Sequence, residues 1–298
     1  MDICVGAVCE PAVRLAFSMS VYNLDNFSKG TRKPRPWVVK VGGRLVDDPS
    51  ILAQLARACA DAERPLVVIH GGGAQVTALQ EKFGIEAKFV EGRRFTPPEE
   101  MAIVEMALNG MVNPMVVRAL LQEGAHAVGM SGCDARMVTC ERIASLGAVG
   151  TPTRVHTELL ETLLAADFIP VISSVCMAAD GLPVNVNADE LACAVAAALE
   201  AERLLLLSDV PGVRVAGEVQ CEIWDADIED LIAAGEITGG MVPKLRSSQA
   251  ATALGVDEVR IAGFEGEPLD AIGGTSIRAR RLRPSNVRPL LREIKGGL

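Results

Sequence analysis

Two glycine-rich stretches stand where an apolar run gives way to a helical pattern: Lys40-Val41-Gly42-Gly43 and His70-Gly71-Gly72-Gly73. A glycine turn between strand and helix lets the backbone approach a ligand closely. It also aims the free N–H groups of the helix start, the positive end of its dipole, at an anion. Two such loops at the carboxyl ends of parallel strands could hold a phosphate chain between them. One glycine pair alone often serves loop geometry. Two at equivalent places, one preceded by a lysine, point to phosphate chemistry. Further along, Asn185-Val186-Asn187-Ala188-Asp189-Glu190 sits where a loop becomes a helix. Asp189 there is either a helix cap, worth about 0.5 to 2 kcal/mol, or a functional carboxylate. Gly239-Gly240-Met241-Val242-Pro243-Lys244 then places glycines ahead of a helix bearing Lys244. A lone imidazole at a strand end, His70, needs no catalytic role. The usual nucleotide signatures are absent: no P-loop, no dinucleotide-binding glycine fingerprint and no protein-kinase motifs.

These residues need elements to position them. Short apolar runs predict strands at 37–41, 66–70, 126–130, 168–174, 203–208 and 258–262. Helical patterns fall near 50–63, 74–83, 98–122, 157–166, 189–201, 226–234 and 241–254. Unbroken β-rich runs separated by helices predict an α/β fold with an open, mostly parallel, doubly wound sheet covered by helices on both faces. The reading divides the chain into an N-terminal extension at 1–36, a domain at 37–277, and a basic tail at 278–298 that fits a solvated segment. Asp2 and Glu10 interrupt any secretory-signal layout in the extension.

The 298 residues, 49% hydrophobic and 22% charged, supply one large core or two lobes sharing a sheet. A net charge of −9 disfavours nucleic acid, and no apolar run reaches the roughly 18 to 20 residues that cross a bilayer. The eight cysteines form no C-x-x-C pair and no cluster with histidine, so they read as free thiols in a reducing cytoplasm.

Seven blocks, in order, carry a family resemblance: KVGG at 40–43, VVIHGGG at 67–73, GRRFT at 92–96, AVGMSGCD at 127–134, NVNADE at 185–190, LLLLSDVPGV at 204–213 and ITGGMVPK at 237–244. Over about residues 37–277 the chain resembles the amino-acid kinase family, and within it the N-acetylglutamate kinases. The resemblance implies a three-layer sandwich with an acyl-amino-acid lobe at about 37–190 and a nucleotide lobe at about 191–277. It implies transfer of the ATP γ-phosphoryl to the side-chain carboxylate of N-acetyl-L-glutamate, in arginine biosynthesis. Lys40 and Lys244 would flank the transferring group, and Asp189 would hold both ammonium groups. The N–H groups of Gly42, Gly43 and Gly71 would meet the phosphoryl oxygens, with Gly72 and Gly73 beside the acceptor. Arg94 would bind its α-carboxylate, in preference to Arg93, and Asn185 would add an amide contact. Ser208, Asp209, Val210, Gly212, Gly240 and Met241 would receive the nucleotide. Mg²⁺ would ride on the ATP phosphates, with no protein metal site.

The chain departs from the pattern at Val112-Asn113-Pro114 and in the SGCDARM stretch around Asp134, which affects helix geometry and the subunit contact. Arginine-inhibited members of the family carry a longer leucine-rich helix where this chain has only the short segment between Gly263 and Gly274, so the resemblance implies an arginine-insensitive homodimer, with a hexamer as the alternative. The rival readings are a related kinase acting on carrier-bound aminoadipate and a ligand sensor of the same fold without turnover.

Overall fold

The computed structural model describes residues 34–90 and 92–279; the expected N-terminal extension up to residue 33 and the tail beyond 279 lie outside the described residues. The described residues from Pro34 to Ala279 belong to one unit. It opens with β1 (Trp37–Val41), the short α1 (Arg44–Asp47) and α2 (Pro49–Ala60), whose Asp48 cap accepts from the N–H groups of Ser50 and Ile51. Then come β2 (Leu66–His70), α3 (Gly73–Lys82) and an antiparallel hairpin of β3 (Lys88–Val90) and β4 (Arg93–Phe95). A helical run follows, comprising a 3-10 turn (Pro98–Glu100), α4 (Met101–Glu105), a π-helical segment (Met106–Val112) and α5 (Asn113–Gln122).

The sequence pattern treats 98–122 as one helix, and the π segment is the correction. Pro114 has no N–H to return to the carbonyl of Gly110, so a wider turn just before it avoids the missing bond.

Next are β5 (Ala127–Ser131), β6 (Val138–Arg142), β7 (Val149–Val155), α6 (Glu158–Ala165), β8 (Ile169–Ser173), β9 (Val175–Ala178) and β10 (Pro183–Val186). The chain continues through α7 (Ala188–Ala198), β11 (Arg203–Leu207), the small hairpin of β12 (Arg214–Val215) and β13 (Glu218–Val219), and β14 (Glu222–Trp224). It closes with α8 (Ile228–Ala233), α9 (Met241–Ala253), β15 (Glu258–Ala262) and β16 (Thr275–Arg278).

The main sheet has the order β14-β16-β15-β11-β1-β2-β8-β5. It is parallel from β15 to β5 and turns antiparallel between β15 and β16. Arg278, grouped with the tail by composition, ends β16 opposite Trp224. Strands β6, β7, β9 and β10 pair around a small closed ring that the sequence reading did not foresee.

Alternation along β1 decides what the site receives. Val39 and Val41 pack with Leu52, Leu55 and Leu120 of α2 and α5 on one face. Val38 packs with Leu191 and Val195 of α7 and Leu245 of α9 on the other. Lys40 is two residues from Val38 and therefore faces α7 and α9.

Candidate active site

The cap of α7 explains how Asp189 is presented. Asn187 Oδ1 accepts from the N–H groups of Asp189 (2.8 Å) and Glu190 (3.3 Å). Asn187 is therefore the cap, which frees the Asp189 carboxylate to face outward from the first turn, where the helix dipole favours a negative charge. Lys244 Nζ, from the first turn of α9, donates to Asp189 Oδ2 at 2.6 Å. Lys40 Nζ lies 2.9 Å from Oδ1. The two oxygens of the Asp189 carboxylate are thus each met by one ammonium group.

The lysine side chains are only 11% and 12% exposed, so the pair of contacts works at a reduced dielectric. Burial alone would raise the Asp189 carboxyl; the charges of Lys40 and Lys244 outweigh it and bring the carboxyl down to about 2. The three side chains together keep one surplus positive charge at the carboxyl end of the sheet. A Cβ at Gly42 would fall 2.5 Å from Lys40 Nζ and push the ammonium from its place beside Asp189. Gly72 is required by packing, since its Cβ would meet Leu108 and Val112 of the π segment at 2.7 and 2.9 Å.

Beside this cluster lies a cavity of about 230 Å³ lined by Lys40, Asp189, Arg94, Asn185 and both glycine stretches, 42–43 and 71–73. All of the sequence-predicted acceptor and phosphate residues thus meet in one place. The volume suits a small acid rather than a large ligand, since pockets for drug-sized molecules run about 300–1,000 Å³.

Arg94 is buried, lies 4.7 Å over the Phe89 ring, and donates to the Gly73 carbonyl (2.8 Å), Thr77 Oγ1 (2.7 Å) and Gln80 Oε1. Its guanidinium is therefore clamped to α3 and carries its charge at the cavity wall with little freedom. Asn185 sits in β10, where its amide donates to Thr96 Oγ1 at 3.2 Å.

Ser208, Asp209, Val210 and Gly212 follow β11 and so share the carboxyl edge of the sheet with the ends of β1 and β2, but they do not line this cavity. Gly240 and Met241 open α9 three or four residues before Lys244. Gly240 borders a larger cavity, about 930 Å³, between α7 and α9. That space contains none of Lys40, Asp189 or Lys244, so its size does not make it the site of the chemistry. Among the described residues no cluster of His, Cys, Asp and Glu could hold a metal ion, and Asp189 is engaged by both lysines.

Sequence reasoning passed over one ion pair at this wall. Arg93 Nη2 donates to Glu190 Oε1 at 2.6 Å, tying the β3–β4 hairpin to the first turn of α7. The signal was in the doublets Arg93-Arg94 and Asp189-Glu190. Adjacent residues of a strand face opposite ways, so two arginines in a row serve two partners.

Residues 35–263 match the model of the Amino acid kinase family. The chain is 42% identical to the acetylglutamate kinase of Chloroflexus aggregans, over 77% of this chain and 92% of that protein. It is 46% identical to that of Roseiflexus sp. strain RS-1, over 77% and 89%. Among solved structures, a Streptococcus mutans UA159 protein superposes with a TM-score of 0.73 at 31% identity, covering 82% of this chain and 98% of that one. A carbamate kinase from Giardia shares the fold, with a TM-score of 0.62 at 16% identity over 83% and 99% of the two chains. With a lysine–aspartate–lysine cluster at the carboxyl edge of a doubly wound sheet and these relatives over most of its length, the chain belongs to the amino acid kinase family and groups there with the acetylglutamate kinases.

Proposed function

We propose that this chain transfers the γ-phosphoryl group of MgATP to the side-chain carboxylate of N-acetyl-L-glutamate, giving N-acetyl-L-glutamyl 5-phosphate and ADP in arginine biosynthesis. The observation that carries the reading is the buried Lys40–Asp189–Lys244 cluster beside a small cavity with an arginine in its wall. A carboxylate acceptor is already a nucleophile and needs no general base, so the work is positioning and neutralising charge between two anions. One acceptor oxygen bonds to the γ-phosphorus as the bond to the ADP oxygen breaks. Lys40 and Lys244 stabilise charge on the attacking and leaving sides, and Asp189 holds both without competing for a proton, its carboxyl being a weak base at about 2. The N–H groups of the 42–43 and 71–73 stretches receive phosphoryl oxygens, Arg94 receives the α-carboxylate, and Asn185 adds an amide contact. The nucleotide lies toward Ser208–Gly212 and the Gly240–Met241 start of α9. Because Asp189 is occupied by two ammonium groups, Mg²⁺ is carried by the phosphates.

We extend the proposal to an arginine-insensitive homodimer in a reducing cytoplasm. The exposed Met106, Met111 and Leu121 of the 101–122 run support pairing of two copies, and the buried free thiols of Cys59, Cys140, Cys176 and Cys193 support the compartment.

The test is acyl-phosphate formation with MgATP, trapped as the hydroxamate, comparing N-acetyl-L-glutamate, L-glutamate and N-acetyl-L-aspartate. Strong preference for N-acetyl-L-glutamate is expected. No product from folded, ATP-binding protein would refute the proposal.

A further inference from the structure

His70 ends β2 directly before the glycine loop, is fully buried, and has no part in the chemistry above. Its ring is nevertheless held at both nitrogens. Nδ1 lies 2.8 Å from the Gly71 carbonyl oxygen, and Nε2 lies 3.0 Å from Asn113 Nδ2. The orientation of the Asn113 amide is settled by its other neighbours. Nδ2 also faces the carbonyls of Val171 (2.9 Å) and Met130 (3.3 Å), which only an NH₂ group can satisfy. The Gly71 carbonyl oxygen can only accept, so the ring proton sits on Nδ1 and is given to Gly71. Nε2 is then the acceptor nitrogen, facing the Asn113 NH₂, whose two hydrogens it shares with the two carbonyls. Burial keeps the imidazole neutral, its pKa brought down to about 4, so one tautomer serves across the neutral range.

The consequence lies in the next peptide. A trans peptide sets its C=O and its N–H on opposite sides of one plane. With the Gly71 carbonyl drawn inward to His70, the Gly72 N–H must point outward, toward the cavity that Gly71, Gly72 and Gly73 line. Gly72 precedes α3, so its N–H has no carbonyl behind it in the helix. Without a side chain, a glycine peptide can flip at small cost. We propose that His70 is a positioning residue for phosphoryl transfer: through Nδ1 and the Gly71 carbonyl it fixes the Gly71–Gly72 peptide so that the Gly72 N–H serves the transferring group, and Asn113 fixes the tautomer that makes this work. The inference rests on the phosphotransfer reading above and adds a second layer to it, running from the end of the π segment through Asn113 and His70 to the loop.

Two substitutions separate this role from simple core filling. In His70→Asn the amide nitrogen takes the place of Nδ1 and can still donate to Gly71. In His70→Gln the amide sits at the place of Nε2, so the Gly71 contact is lost while the partner of Asn113 is kept. His70→Asn is expected to hold kcat within about fivefold of wild type. His70→Gln is expected to lower kcat roughly 10- to 100-fold, part of the loss seen when one transition-state donor is removed. Both KM values should stay within about threefold in either variant. Equal losses of kcat in the two variants, or wild-type kcat in His70→Gln, overturn the proposal. A second measurement needs no turnover: long-range ¹⁵N–¹H spectra of the wild-type ring should show a protonated Nδ1 and an unprotonated Nε2. The opposite tautomer overturns the proposal. If wild-type protein makes no acyl phosphate, the phosphotransfer reading fails, and the spectra still decide the His70 arrangement.

Discussion

Replacing Asp189 with Asn keeps the shape of the side chain and removes its charge, which isolates the electrostatic part of the cluster. In the wild type the carboxyl titrates at about 2, against an ordinary 3.8. That difference amounts to about 2 kcal/mol of stabilisation at neutral pH. In Asp189→Asn two ammonium groups that are only 11% and 12% exposed would face a neutral amide. Removing one member of a buried pair typically costs about 3 to 5 kcal/mol, because the remaining charge stays desolvated. The expected loss at pH 7 is about 3 kcal/mol by urea unfolding, together with a fall in kcat of about 100-fold or more in the hydroxamate assay. The sign with pH is fixed. The folded carboxyl is depressed, so its contribution is present above pH 4 and is lost as pH falls from about 4 to about 2. The stability gap between wild type and variant should therefore narrow by about 2 kcal/mol over that window. A variant with wild-type urea midpoint and kcat at pH 7, or a gap unchanged between pH 4 and pH 2, would refute the reasoning.

Lys40→Met and Lys244→Met should each lower kcat by about 100- to 1,000-fold, and the double variant by less than the product, since both act on one transition state. Arg94→Lys should raise KM for the acyl amino acid by about 10- to 100-fold and leave KM for ATP unchanged, from the loss of charge-assisted bonds worth about 1.5 to 3 kcal/mol; a rise in KM for ATP instead would reverse the two subsites. His70, held near pKa 4 by burial against about 6.5 unfolded, favours folding when neutral, so about 3 kcal/mol of stability should be lost as pH falls from about 6.5 to 4, a slope absent in His70→Asn. A double-mutant cycle of Arg93→Ala and Glu190→Gln should give a coupling of about 0.5 to 1 kcal/mol that shrinks in salt, because Arg93 is one-third exposed.

The six central strands were legible within a residue or two, because WVVKV, LVVIH and RLLLL are buried on both faces and read as continuous apolar runs. The ring of β6, β7, β9 and β10 was not. Its strands, such as VTCER and PVNV, mix polar residues and proline over a few positions, and their pairing closes between segments tens of residues apart. The edge strand β14 and its neighbour β16 are three and four residues long, too short for a period. At the site, the family resemblance marked Lys40, Asp189, Lys244 and Arg94; Lys40, Asp189 and Arg94 line one cavity, and Lys244 joins them through Asp189. What the residues could not give was orientation: that Asn187 rather than Asp189 caps α7, that Arg94 is clamped by Thr77 and Gln80, and that His70 reaches the loop backbone.

Strand β1 is flanked on one side by β2, close in sequence, and on the other by β11, where Trp37 registers with Arg203. A chain emerging from the ribosome can make the first pairing early but must wait for most of its length before the second. Until then β1 presents an open edge of apolar residues, the kind of template that recruits other chains. Within WVVKV the one charge is Lys40, the kind of residue that guards such an edge. The ammonium that later steadies the transferred phosphoryl would thus first act as a gatekeeper against aggregation. A Lys40→Met enzyme should then lose yield during expression as well as activity, a cost set by the slow, long-range closure of the sheet rather than by the folded state.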